Sequence, residues 1–130
     1  MTSKKNNATF MGLLDWRREI HQIWRHKDLA LLGVVKPFSN KTRTEIGWII
    51  PEKGKTTATG LPAGRYVTMK MDEKNPNMVN VGFGVGLVSL NSNDMLMGRF
   101  YTEQYLPHAS EEIYQYLVNG IVPDTQGLPN

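Results

Sequence analysis

From Met78 to Leu90 the chain reads Met-Val-Asn-Val-Gly-Phe-Gly-Val-Gly-Leu-Val-Ser-Leu. Val79, Val81, Phe83, Val85 and Leu87 alternate with Asn80, Gly82, Gly84 and Gly86, the period of a strand. Three glycines also argue against a helix, at roughly 1 kcal/mol each relative to Ala. A helix can still be drawn, with Met78, Val81, Val85 and Val88 on one face and small residues where another element could approach. Both readings stay open on these residues alone, and the fold turns on which one forms. The glycine run is not a phosphate loop, because it lacks the Lys-Ser/Thr of one and the spacing of a dinucleotide fingerprint.

A second alternating stretch, Met97–Pro107, reads as a strand. Tyr101, Glu103 and Tyr105 would share one face; Phe100, Thr102, Gln104 and Leu106 would share the other. A buried, ionised carboxylate costs several kcal/mol unless something pairs with it. Glu103 is therefore solvated, bonded to a protein donor, or placed to meet a cationic ligand.

The clearest helix lies earlier. Leu13, Trp16, Ile20, Ile23, Trp24 and Lys27 recur at three- and four-residue spacing, opposite Arg17, Arg18, Glu19, Gln22 and Arg25. Trp16 and Trp24 read as its anchors on a sheet. Leu29–Pro37 reads as a strand, Phe38–Lys41 as a turn and Thr42–Ile50 as the returning strand of a hairpin. Pro51–Gly60 is loop by composition, Leu61–Gly64 a turn, and Arg65–Met71 a strand. Ile113–Val118 fits either a helix started near Ser110 and ended at Gly120 or a closing strand. Residues 1–8 read as a disordered N-terminus, with Ala8–Gly12 at most a short strand. Residues 9–122 then form a single domain, and 123–130 a Pro- and Gly-containing tail.

Composition removes several function classes. The 130 residues suffice for one core and not for two. With no cysteine, thiol catalysis and cysteine-ligated metal are excluded. His21, His26 and His108 have no metal-ligand spacing, so neither a metal nor another cofactor is expected. The net charge of +3 is scattered, without the dense basic block that nucleic acid would require. No apolar run is long enough to span a bilayer, and no apolar segment follows Lys4 and Lys5 as a secretory signal would need. The expected location is the cytoplasm, with no membrane partner.

Leu61-Pro-Ala-Gly-Arg-Tyr66 entering a strand, and Phe100-Tyr-Thr-Glu-Gln-Tyr-Leu-Pro107 after an intervening segment, resemble motifs of one family. The family comprises the effector-binding domains of MerR- and AraC-type multidrug regulators and the gyrase-inhibitory-protein-like domains. Gly33–Phe38 and Glu45–Pro51 look like its paired first-half strands, and the resemblance covers most of residues 13–118. It implies an α+β fold of pseudo-twofold, duplicated β-α-β-β halves with an antiparallel sheet. It also places a helix over residues 76–91, and on that ground the helix is expected there. The family's members bind bulky lipophilic cations against aromatic rings and a buried glutamate. Stand-alone members, some carried on integron cassettes, lack a DNA-binding domain; residues 1–12 here cannot hold a helix-turn-helix.

The expected function is that of a stand-alone, non-enzymatic binding protein for lipophilic cations. Glu103 is the charge partner, Tyr101 and Tyr105 its strand neighbours, and Tyr66 carries over from the family motif. Trp48 and Phe83 complete the ligand-binding set, with core packing as the alternative for every ring. Two other readings remain: a protein-interaction module of the gyrase-inhibitor kind, with a protein partner or a homodimer, and a small hydrolase using Glu103 as general base.

Overall fold

A computed structural model of the chain describes residues 12–27, 29–56, 62–75, 77–87 and 95–123. The expectations for residues 1–8, for Ala8–Met11, for the turn at 91–94 and for the tail beyond Pro123 lie outside them. Helix α1 (Leu13–His26) leads through a 3-10 turn (Ala30–Gly33) into five strands: β1 (Lys36–Ser39), β2 (Glu45–Thr56), β3 (Pro62–Met71), β4 (Met78–Leu87) and β5 (Met95–Thr102). A second 3-10 turn (Glu103–Tyr105) opens helix α2 (Leu106–Asn119). The strands pair antiparallel in chain order, β1-β2-β3-β4-β5. The fold is α+β on an antiparallel sheet.

Both helices cover one face. Leu13, Trp16, Ile20 and Trp24 of α1 and Ile113, Tyr116 and Leu117 of α2 join one core cluster. The sheet contributes Ile46 and Trp48, Val67 and Met69, Val79, Val81 and Phe83, and Tyr101. The intervening residues turn to the outer face, among them Gly47, Ile49, Tyr66, Thr68, Gly82 and Gly84.

Residues 78–87 form strand β4, which corrects the helix expected over 76–91. The local period was the right guide. Val79, Val81 and Phe83 face the helices, the glycines fall on the other parity, and at Gly84 a ring needs the space. Tyr66 lies directly opposite Gly84, and a Cβ at Gly84 would stand 2.5 Å from its ring. Phe38 lies opposite Gly47 across β1 and β2, where a Cβ would meet the Val67 carbonyl first and stand 2.6 Å from the Phe38 ring. Aromatic side chains on two strands thus cover glycines on their neighbours.

Four further boundaries differ from expectation. Leu29–Pro37 is strand only from Lys36; Ala30–Gly33 is a 3-10 turn, with Leu31 and Val35 buried and the Leu31 carbonyl taking the N–H groups of Val34 and Val35. The first hairpin turns later, at Asn40–Thr44, where the Asn40 side chain accepts N–H bonds from Thr44 and Glu45. β2 runs on to Thr56 and β3 starts at Pro62, so part of the expected loop and turn is strand. β5 stops at Thr102 instead of running to Pro107; Pro107 sits in the first turn of α2, where its missing N–H costs nothing. The ambiguous residues 113–118 are helix, closed by Gly120 at φ 73°. Among the described residues no helix is long and apolar enough to cross a membrane.

Candidate functional site

The end of β5 moves the expected site apart. Tyr101 is the last core-facing residue of the strand, and Glu103 and Tyr105 belong to the turn after it, so the three do not share a strand face. Glu103 and Tyr105 are half-buried. Trp48, Phe83 and Tyr101 are fully buried between sheet and helices. Tyr66 is fully buried too, but on the outer face against Gly84. The six residues therefore occupy both sides of the sheet. Trp48 packs edge-on against Trp24, with ring centroids 5.5 Å apart, and Phe83 against Tyr116 at 5.4 Å. These rings fill the core rather than line a cavity.

Tyr101 does meet a carboxylate, but it is Glu112 of α2. The Tyr101 hydroxyl donates to Glu112 Oε1. Arg99, two residues back on the same strand face, brings Nε to 3.1 Å of the same oxygen. His108, one helical turn before Glu112, places Nε2 at 3.3 Å from Oε2. Arg99 also lies over the Tyr101 ring, 5.8 Å from its centroid. Burial, followed by the Glu112 contact, pushes the Tyr101 hydroxyl far above its ordinary range. Arg99 is 7% exposed, so its charge is held inside the protein, with the Glu112 carboxylate beside it. The arrangement ties the last strand to the last helix through charge-assisted bonds.

A second cluster ties α1 to the opposite edge. Arg17 donates through Nη2 to the carbonyls of Phe38 (3.1 Å) and Gly47 (2.7 Å), and its guanidinium lies 5.4 Å from the Trp48 ring centroid. The Trp48 indole N–H donates to His21 Nε2 at 2.8 Å. Burial lowers the His21 pKa, and the nearby Arg17 and Arg25 lower it further.

Sequence reasoning missed Arg99, Glu112, His108, Arg17 and His21. A signal existed for two pairs: Arg99 shares strand parity with Tyr101, and His108 and Glu112 are four apart on a helix. Among the described residues no group of three His, Asp or Glu side chains could hold a metal ion. Comparison with protein-family models, with curated proteins and with solved structures finds no match to this chain.

Proposed function

We propose that this protein is a binding module that acts through a protein partner, and that the partner adds a strand to β5. The lipophilic-cation reading needs a ring face beside a free carboxylate. At Tyr101 that place is taken by Arg99, which sits on the ring and on Glu112 together; at Trp48 the ring is taken by Arg17. Opening a buried pair such as Arg99–Glu112 costs about 3–5 kcal/mol. A desolvated cation–π contact returns about 2 kcal/mol.

The contrast between the two sheet edges supports the strand-addition reading. β1 is four residues long and carries Lys36 and Pro37, features that discourage pairing. β5 is eight residues long with neither proline nor lysine; its one charge, Arg99, is turned inward on Glu112. Among the described residues its far edge pairs with no strand. The observation that carries the proposal is Phe100, 47% exposed on the outer face and opposite Asn80 instead of a glycine. Phe38 and Tyr66 each lie across a glycine; Phe100 is the ring that awaits a small residue on an incoming strand. A second copy of the chain would supply one. In antiparallel self-pairing centred on Arg99, each Phe100 falls opposite the partner's exposed Gly98. The duplicated β-α-β-β plan of gyrase-inhibitory domains would need a helix across 76–91, so the support comes from the edge and not from that plan.

The test uses Phe100→Lys, an exposed change that leaves the core intact. Sedimentation and affinity capture are run with both chains at matched concentration. Self-association or a captured protein that is lost in the variant, at unchanged Tm, is the expected result. Equal recovery on both chains sinks the proposal. So does a thermal shift with lipophilic cations and none with matched neutral compounds; a ligand at 100 times its Kd stabilises by about 2.7 kcal/mol, which is readily seen.

A further inference from the structure

His21 stands where α1 meets the first two strands, and its bond to Trp48 has a direction. The indole N–H can only donate, so His21 Nε2 must be an unprotonated acceptor and the neutral ring carries its proton on Nδ1. Protonation places an N–H on Nε2 and leaves two donors facing each other. The ring is half-buried and packs 5.6 Å from Trp24 and 5.8 Å from Trp48, centroid to centroid. Its charged neighbours on α1 are Arg17 and Arg25, and the depression beside it is lined by Leu14, Arg17, Arg18, Gln22 and Arg25. Arg18 faces Asp15 and Glu19. From β2 the group against it is the uncharged Trp48 indole, and β1 meets this corner through the Phe38 carbonyl that Arg17 holds. Arg17 is fixed by two carbonyls at 2.7 and 3.1 Å and cannot swing away from a new positive charge.

We propose that His21 is a proton-operated latch: neutral, it holds α1 on β2 through Trp48; protonated, it loses that bond, is repelled by Arg17 and Arg25, and releases the corner over β1 and β2. The inference is independent of the strand-addition reading, because β5 lies at the other edge of the sheet.

The measurement is an NMR titration of the whole chain from pH 8 to 4.5, following the Trp48 indole N–H and the three histidine rings. The latch requires the Trp48 resonance to move upfield in step with the His21 ring, at one midpoint below the ordinary histidine value of 6.5. His21→Gln keeps an acceptor for the indole and cannot titrate in this range. In that variant the Trp48 profile is expected to be flat. A Trp48 resonance that ignores pH overturns the proposal, as does a His21 midpoint at or above 6.5 or a profile that persists in the Gln variant. Should the variant not fold, the shared midpoint in the native chain decides alone.

Discussion

Arg99→Met leaves Glu112 with the Tyr101 hydroxyl and His108 but no fixed cation beside it. The loss expected in urea denaturation is about 1–3 kcal/mol, the cost of leaving the half-buried Glu112 carboxylate without its arginine. Tyr101→Phe removes one neutral donor from the same oxygen and costs about 1–2 kcal/mol. Arg99→Met combined with Glu112→Leu removes both charges and should recover most of the Arg99→Met loss. A double variant less stable than Arg99→Met alone would show that the pair is not the unit described. The sequence places Tyr101 beside Glu103 as a ring for a cationic ligand, because the alternation reads on past Thr102. The structure ends the strand there and gives the Tyr101 hydroxyl to Glu112, and nothing in the strand's own residues reveals which helix will lie over it. The same limit hid His21, whose role comes from Trp48 on an element distant in sequence.

At the scale of elements, period carried the information and analogy removed some of it. Of the face expected for α1, Leu13, Trp16, Ile20 and Trp24 are buried, Ile23 is half-buried and Lys27 is exposed. The alternation of Val79, Val81 and Phe83 is the period β4 adopts; the residues alone leave a helix open as well, and the resemblance tipped the expectation to the helix, wrongly. Ends were harder, because Leu31 and Val35 satisfy helical and extended readings alike until Trp24 fixes where α1 stops: its carbonyl takes the Leu29 N–H. The glycines give an element-scale test. Gly84→Ala drives a methyl into the Tyr66 ring and is expected to cost about 1–3 kcal/mol. Gly98→Ala on β5 meets only the Asn80 side chain at 3.5 Å and Val81 O at 3.8 Å. It should be neutral or slightly stabilising, since alanine loses less backbone entropy than glycine. Equal effects at both positions would refute the ring-on-glycine account of β4.

For the whole molecule, stability should fall at both ends of the pH range. His21 binds its proton less readily folded than unfolded, so the unfolded chain holds more protons as the pH drops below about 6.5. The stability present above that value is then lost on acidification. Tyr116 shows the opposite sign. Burial pushes its hydroxyl from 10.0 up to about 12 while it donates to the Gly84 carbonyl. The folded chain keeps that proton longer, so its contribution is complete below pH 10 and is lost as the pH rises toward 12; Tyr101 acts in the same direction. Chemical denaturation across pH 4.5–11 should give a plateau with a shoulder on each side, and His21→Gln should flatten the acid shoulder alone.

The order of elements has a consequence for synthesis. Every strand pairs with its neighbour in sequence, so the sheet can be assembled hairpin by hairpin as the nascent chain emerges. Half of its apolar cover arrives last: Ile113, Tyr116 and Leu117 belong to residues 106–119, and the Glu112 that neutralises Arg99 comes with them. Until the ribosome has released that helix, a finished sheet stands with one flank uncovered and Arg99 lacks the Glu112 carboxylate. The interval between completing β5 and docking α2 is when a chaperone would find this chain, and a stall or truncation there is the surest way to make it aggregate.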